Sequence, residues 1–170
     1  MIEGCRQQQR RAQEQLYRQL YPIALRIALR YAKDTHSAGD ILSHAFVKMF
    51  RSIKNYDRSK GSIAAWLHRI VVNEALDHLK QQARFGTQEL ETVEEPFVDN
   101  QMVEKMHAEA ILLHIRRLPP ATHAVFVLYA CEGYAHKEIA QQLGISEGTS
   151  KWHLSEARKI LQQQLTNVIE

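Results

Sequence analysis

YAHKEIAQQLGISEGTSKWHLSEARKIL, residues Tyr134 to Leu161, patterns as two short helices meeting at a tight corner. His136 to Leu143 carries Ile139, Ala140 and Leu143 at helical spacing, and Gly144 supplies the residue without a Cβ that a left-handed helix exit favours. Ile145 plugs the corner, and Ser146 is an N-cap whose hydroxyl accepts from the free backbone N–H groups of the next turn. The second helix holds Ser150, Leu154, Ala157 and Leu161 on one face, which fixes the side that packs inward. Its other face collects Gly148, Trp152, Ser155, Glu156 and Lys159, flanked by Thr149 and Lys151. A Trp turned away from the core beside Lys, Ser and Thr suits a helix laid in a DNA major groove, where an apolar edge meets a thymine methyl. The helix start, with free N–H groups at Glu147 and Gly148, can take a phosphate. The alternative for Trp152 is docking on another domain.

Upstream of the corner, Thr122 to Cys131 reads as a buried helix that Gly133 ends. Before it, a helical pattern from Met106 through Ala110, Ile111, Leu113, Ile115 and Leu118 stops at Pro119 and Pro120. The tail from Gln162 to Glu170 reads as a fraying extension. Farther upstream, Phe85 to Lys105 is acidic, contains Pro96 and has little periodicity, so it reads as an extended linker. Charge follows the same divisions: residues 1–84 hold fifteen Lys/Arg and seven Asp/Glu, 85–109 one and seven, 110–170 six and five. The expected domain map is 1–84, an acidic linker 85–105, and 106–170.

In the first domain, residues 1 to about 12 lack apolar periodicity and read as a frayed start. Leu16, Leu20, Ile23, Ala24, Ile27, Ala28 and Tyr31 form a helical stripe, with Pro22 within it as a kink or boundary. After turn and cap chemistry at Asp34, Thr35 and Ser37, a helix over about Ala38 to Ile53 carries a wide apolar band, leaving Asp40, Ser43, His44 and Lys48 outside. The loop KNYDRSKG, Lys54 to Gly61, is a surface loop with three basic residues and a Tyr, suited to receive a nucleic-acid strand, and Ser62 caps the next helix. That helix, Ile63 to about Arg84, buries Ile63, Leu67, Ile70, Val71, Ala75 and Leu79. It also carries a second stripe of Trp66, Arg69, Asn73, Asp77, Lys80 and Arg84. Cations for phosphate, an amide for base edges and an aromatic for stacking make this stripe a DNA-facing candidate; a solvated charged face with Trp66 buried is the alternative.

With 45% hydrophobic and 24% charged residues, 170 residues suffice for one medium domain or two small cores. Few Gly and Pro, and no sustained strand-like alternation, predict an all-α chain of two small helical domains. Cys5 and Cys131 are far apart, so neither a disulfide framework nor a Cys-based zinc site is expected. No apolar run approaches a bilayer span and no signal-peptide core is present, so a cytoplasmic protein without membrane insertion is expected. The nine His are scattered; only His107 and His114, seven apart, share a helix face, so neither a metal nor a cofactor is expected.

Three segments in order resemble the bacterial alternative sigma factors of the extracytoplasmic-function group. SAGDILSHAFVKMFRSIKNYD is similar to that family's second conserved segment. GSIAAWLHRIVVNEALDHLKQQAR is similar to its Trp-Leu-x-x-Ile, Asn and Asp-His-Leu signature, and LPPATHAVFVLYACEGYAHKEIAQQLGISEGTSKWHLSEARKIL to its carboxy-terminal domain. The resemblance covers roughly residues 12–165 and implies a non-enzymatic partner of core RNA polymerase that recruits it to promoters and helps open the duplex. It implies that Asp40, Ile41, Leu42, Ser43 and Phe46 dock on the clamp helices of the beta-prime subunit, and that the beta flap is a second contact. Asn55, Tyr56, Lys60, Ser62, Trp66, Arg69, Asn73, Asp77 and Lys80 would capture and melt the minus-ten element. Ser146, Glu147, Gly148, Thr149, Lys151, Trp152, Ser155, Glu156 and Lys159 would read the minus-thirty-five duplex. The charge of the linker implies that it threads the polymerase's nucleic-acid channel. Whether an anti-sigma factor is a further partner stays open.

The chain departs from that pattern in two places. Gly39, Asp40, Ser43 and His44 stand where many members have an acidic pair and then Gln-Glu, which shifts polymerase docking towards apolar packing. Trp152 and His153 replace a small residue and an Arg in the reading helix, and Glu156 there is suited to accept from a cytosine amino group. The competing class is a stand-alone helix-turn-helix regulator, which binds operators without polymerase.

Overall fold

A computed structural model of the chain describes residues 1–84 and 111–169, which contain helices and short connections but no strand. The chain divides into two compact units, Met1–Gln81 and Gln82–Glu170. The linker expected at 85–105 and the helix start expected at Met106 lie outside the described residues.

In the first unit, α1 (Ile2–Arg6), α2 (Arg10–Tyr31), α3 (Thr35–Ser52) and α4 (Ile63–Arg84) enclose one core. The frayed start expected for residues 1–12 is not found. A single turn such as α1 has no stability by itself. It is held because Cys5 is fully buried and Gln8, at φ 57°, turns the chain back so that α1 packs on α2. Burial pushes the Cys5 thiol above its ordinary pKa. Gly4 makes the close approach possible: a Cβ there would lie 2.8 Å from the Cβ of Ala12. Nor is Pro22 a boundary, since α2 runs unbroken through it. Pro22 is exposed, so the carbonyl released four residues earlier can bond to water rather than break the helix.

Helix α3 begins where Asp34 Oδ1 accepts from the Ser37 N–H at 2.6 Å, a bond that holds the Asp34 carboxyl below its usual range. Leu16, Leu20 and Ile27 of α2, Ile41, Phe46 and Met49 of α3, and Leu67, Val71, Val72, Ala75 and Leu79 of α4 are all buried. The side chain of Lys48 on α3 reaches Glu74 on α4 at 2.7 Å, and that bond raises the Lys48 pKa.

In the second unit, residues 111–116 form the described part of α5; α6 (Pro120–Phe126), α7 (His136–Leu143) and α8 (Glu147–Ile169) follow. Pro120 opens α6, where its missing N–H removes no helical bond. The buried helix expected over Thr122–Cys131 is buried only as far as Leu128. Its last stretch, Val127–Cys131, is a π-turn that leaves Tyr129, Ala130 and Cys131 exposed. The tail is not a fraying coil either, because α8 continues to Ile169 and Gln164 Oε1 meets His114 Nδ1 at 3.1 Å.

Buried polar groups in this unit are paired across elements. Thr122 Oγ1 lies 3.0 Å from His153 Nδ1, and Ser150 Oγ lies 2.9 Å from His136 Nδ1, whose ring stacks on Tyr129. Each pairing satisfies a group that would otherwise cost about 1–3 kcal/mol to bury.

Two predictions follow from this packing. Gly4→Ala crowds Ala12 and should lower the unfolding free energy of the first unit by about 1–3 kcal/mol, read from the urea midpoint. Desolvation holds the folded His153 pKa below its ordinary 6.5, so the unfolded chain binds the proton first. Stability of the second unit is therefore complete above pH 6.5 and lost as pH falls towards the folded value. Hydrogen exchange of the α8 amides at pH 7.5 and pH 5.5 should show the lower opening free energy at pH 5.5, and His153→Gln should remove most of that difference.

Candidate nucleic-acid interface

The corner between α7 and α8 is built as its residues dictate. Gly144 adopts φ 70°, ψ 35° and closes α7, while Glu138 Oε2 accepts from the Ala135 N–H at the other end at 2.8 Å. Ser146 Oγ accepts from the Thr149 N–H at 3.0 Å and caps α8. With Ser150, Leu154 and Ala157 buried, the opposite face turns to solvent. Ser146, Glu147, Gly148, Thr149, Lys151, Trp152, Ser155 and Lys159 are exposed, and Glu156 is half-buried. Trp152 is 59% exposed, the most open large apolar side chain of the described residues, and its ring meets the edge of the His153 ring at a centroid distance of 4.9 Å.

Four members of this set are already engaged, in two pairs. The Ser146 hydroxyl is spent on its cap and on Thr149 Oγ1 at 2.8 Å, so its part is to shape the helix start. Lys151 Nζ lies 2.8 Å from Glu147 Oε1, an exposed pair that lowers the Glu147 pKa and that a phosphate would have to displace. Arg158, seven residues after Lys151 and within about 20° of it around the helix, is also exposed. No apolar spacing marks it in the sequence; its exposure is seen only in the structure.

On α4 the second stripe is likewise outward. Arg69, Asn73, Asp77 and Lys80 are exposed and Trp66 is half-buried; the side chain of Arg84 lies outside the described residues. Ser62 Oγ caps α4 through the Ala65 N–H at 3.1 Å. Asn55 and Lys60 are exposed on the preceding loop, as are Lys54 and Arg58. Tyr56 is not the exposed stacking ring expected of it. It is 5% exposed, its hydroxyl donates to the Gly61 carbonyl at 2.9 Å, and its ring packs 5.4 Å from Trp66. Its burial pins the loop, and Gly61 at φ 143° lets the chain turn into α4. Asp57 completes the loop by accepting from the Ser59 hydroxyl and N–H, which lowers its pKa.

The α3 residues expected to dock on polymerase separate into two sets. Asp40 and Ser43 are exposed, whereas Ile41, Leu42 and Phe46 are 1%, 3% and 4% exposed because the apolar band of α3 faces α2 and the core. Ile41 is a core residue. Leu42 and Phe46 form the floor of a groove whose walls include Tyr17, Tyr21, Val47 and Phe50, with Tyr17 and Val47 substantially open to solvent. Sequence spacing pointed to the helix but missed Tyr17 and Val47, which the pairing of α2 with α3 brings to one surface.

Residues 16–85 match the family model for Sigma-70 region 2, and residues 108–161 match that for Sigma-70, region 4. The ECF RNA polymerase sigma factor SigE of Mycolicibacterium smegmatis is 29% identical over 158 residues, covering 89% of this chain and 61% of that protein. The chain thus spans less than two thirds of that relative. The ECF RNA polymerase sigma factor SigM of Mycobacterium tuberculosis is 32% identical over 156 residues, covering 92% of this chain and 78% of that one. Among solved structures, the sigma factor RpoE of Bartonella quintana, crystallised with the anti-sigma factor NepR, is similar in fold. Its TM-score is 0.55 at 18% identity, covering 90% of this chain and 96% of that one. Regions 2 and 4 follow one another here, and the similarity to SigM runs across both; the chain belongs to the ECF RNA polymerase sigma factors.

Proposed function

We propose that this chain is an alternative sigma factor that directs core RNA polymerase to specific promoters and helps open the duplex there. The observation that carries the reading is the display of two separate solvent-facing ridges, one in each family-matched segment. The first is Arg69, Asn73, Asp77 and Lys80; the second is Gly148, Trp152, Ser155 and Lys159.

Each ridge has its own chemistry. On α4 and its loop, Lys54, Arg58, Lys60, Arg69 and Lys80 offer charge to a phosphate backbone. Asn73 and the open edge of Trp66 offer an amide and a ring to an unpaired base of the minus-ten element. On α8, Trp152 and Ser155 meet base edges of the minus-thirty-five duplex in this reading, with Lys151, Arg158 and Lys159 meeting phosphates; their exposure beside the helix-turn-helix corner supports it. The Tyr17 and Val47 groove, bordered by Gly39 and Ser43, is the docking surface for the beta-prime clamp helices. Each DNA-facing ridge has few cations, and every phosphate contact contributes only about one unit of salt slope, so either ridge alone binds weakly. Mounting both on polymerase raises their effective concentration at one promoter.

Run-off transcription from genomic fragments with purified core polymerase should yield discrete products only when this chain is added. Operator shifts by the chain alone, with no dependence on core polymerase, would instead favour the stand-alone regulator. Trp152→Ala should relax preference at one or two upstream base pairs by about 1–3 kcal/mol. Lys159→Ala should weaken all promoters alike and reduce the salt slope by about one. A promoter library transcribed by each variant separates the two; unchanged promoter choice with Trp152→Ala would remove Trp152 from base reading.

A further inference from the structure

We infer that Arg6 is a positioning residue for the promoter-opening loop, which it holds in shape from the amino-terminal helix; this rests on the reading of residues 54–62 as the loop that captures the minus-ten strand. Arg6 Nη2 donates to the Tyr56 carbonyl at 2.8 Å, across fifty positions of sequence. Its Nη1 donates to Glu3 Oε2 at 3.3 Å, which orients the guanidinium from within α1. The Nε is buried with no partner, a cost that a freely placed surface Arg would avoid by turning outward. Fully buried Cys5 and the close approach of Gly4 to Ala12 fasten α1 to α2, so the guanidinium is delivered from a fixed base.

The loop needs such a tie. Its own bonds are local: Tyr56 hydroxyl to the Gly61 carbonyl, five positions apart, and Asp57 to Ser59, two apart. Local bonds shape a turn but do not place it relative to the helices that carry it. The Arg6 bond is charge-assisted and enters at the carbonyl of Tyr56, whose ring packs on Trp66 at the start of α4. This contact therefore adds to the burial of Tyr56 in fixing the point at which loop and α4 ridge meet. Arg6 also contributes to the lowered pKa of Asp57, after the bonds from Ser59, so its charge also reaches the residue that follows Tyr56. A loop that must receive a base as the duplex opens loses less conformational entropy if it is held beforehand. Arg6 touches the loop's backbone, so its effect on opening passes through the position of the loop.

The test uses holoenzyme reconstituted from core polymerase and the full chain, on a promoter carrying 2-aminopurine in the minus-ten region. With Arg6→Ala, core affinity and protection of the minus-thirty-five region should stay unchanged, while the open-complex signal falls about tenfold, the loss expected for one charged hydrogen bond. Arg6→Lys keeps a cationic donor and should recover part of the signal, a rescue that simple loss of side-chain packing would not show. Opening by Arg6→Ala equal to that of the unmutated chain overturns the inference, as does loss of core binding in parallel with opening. Arg6→Lys performing no better than Arg6→Ala overturns it as well. If the unmutated chain with core polymerase opens no promoter, the sigma-factor reading falls and takes this inference with it.

Discussion

A helix in a small helical domain has one rotational freedom that matters, and the face it buries removes it. Leu67, Val71, Ala75 and Leu79 are inside the first unit, so Arg69, Asn73, Asp77 and Lys80 must point out. Ser150, Leu154 and Ala157 are inside the second, so Trp152 must point out. Burying a Leu or Val side chain contributes about 1.5–3 kcal/mol, whereas an exposed ion pair contributes about 0–1 kcal/mol. Turning α4 far enough to hide its charged ridge would expose several apolar side chains at once. Core packing thus decides what each helix displays.

Capping and corner chemistry then decide where each display sits along the chain. Gly144 in the left-handed region and Ser146 at the N-cap place the start of α8 close behind the end of α7. His136 and Ser150 add a polar pair between those two helices, and Thr122 and His153 add another between α6 and α8. A helix supported by two others loses little freedom when it meets a partner, which is the sense in which α8 is preorganised. In the first unit the same work falls to Ser62, Asp57 and the buried Tyr56.

The two units differ in how they would gain affinity. Residues 1–84 carry a large excess of Lys and Arg, whereas residues 110–170 are nearly balanced. On the proposed reading, attraction to phosphate favours the first unit, and the second depends more on the fit of Trp152 and its neighbours to a groove. The internal pairing of Lys151 with Glu147 strengthens that contrast, because it offsets one of the few cations on the exposed face of α8. The groove of α2 and α3 is different again: Tyr17 and Val47 make it an apolar surface, suited to protein rather than nucleic acid.

By itself the sequence determined the all-helical class, the corner at Gly144 and Ser146, the cap at Ser62, cap chemistry somewhere within Asp34, Thr35 and Ser37, and the outward ridges of α4 and α8; that Asp34 is the cap and α3 starts at Thr35 was decided by the structure. Each of these is local, set by a spacing of three or four residues or by a side chain bonding to its own next turn. Tertiary structure alone decided the rest. Residues 1–12 carry no periodic stripe because α1 is one turn long, so its order comes from Cys5 and Gly4 meeting α2. Tyr56 looked available because an aromatic in a basic loop has no sequence mark for burial, whereas Ile41 lies on the apolar band of α3 and was assigned to docking only by the family resemblance. Tyr17 with Val47, and Arg6 with Tyr56, come together only when distant helices pack, and such contacts depend on three-dimensional proximity that no local pattern encodes.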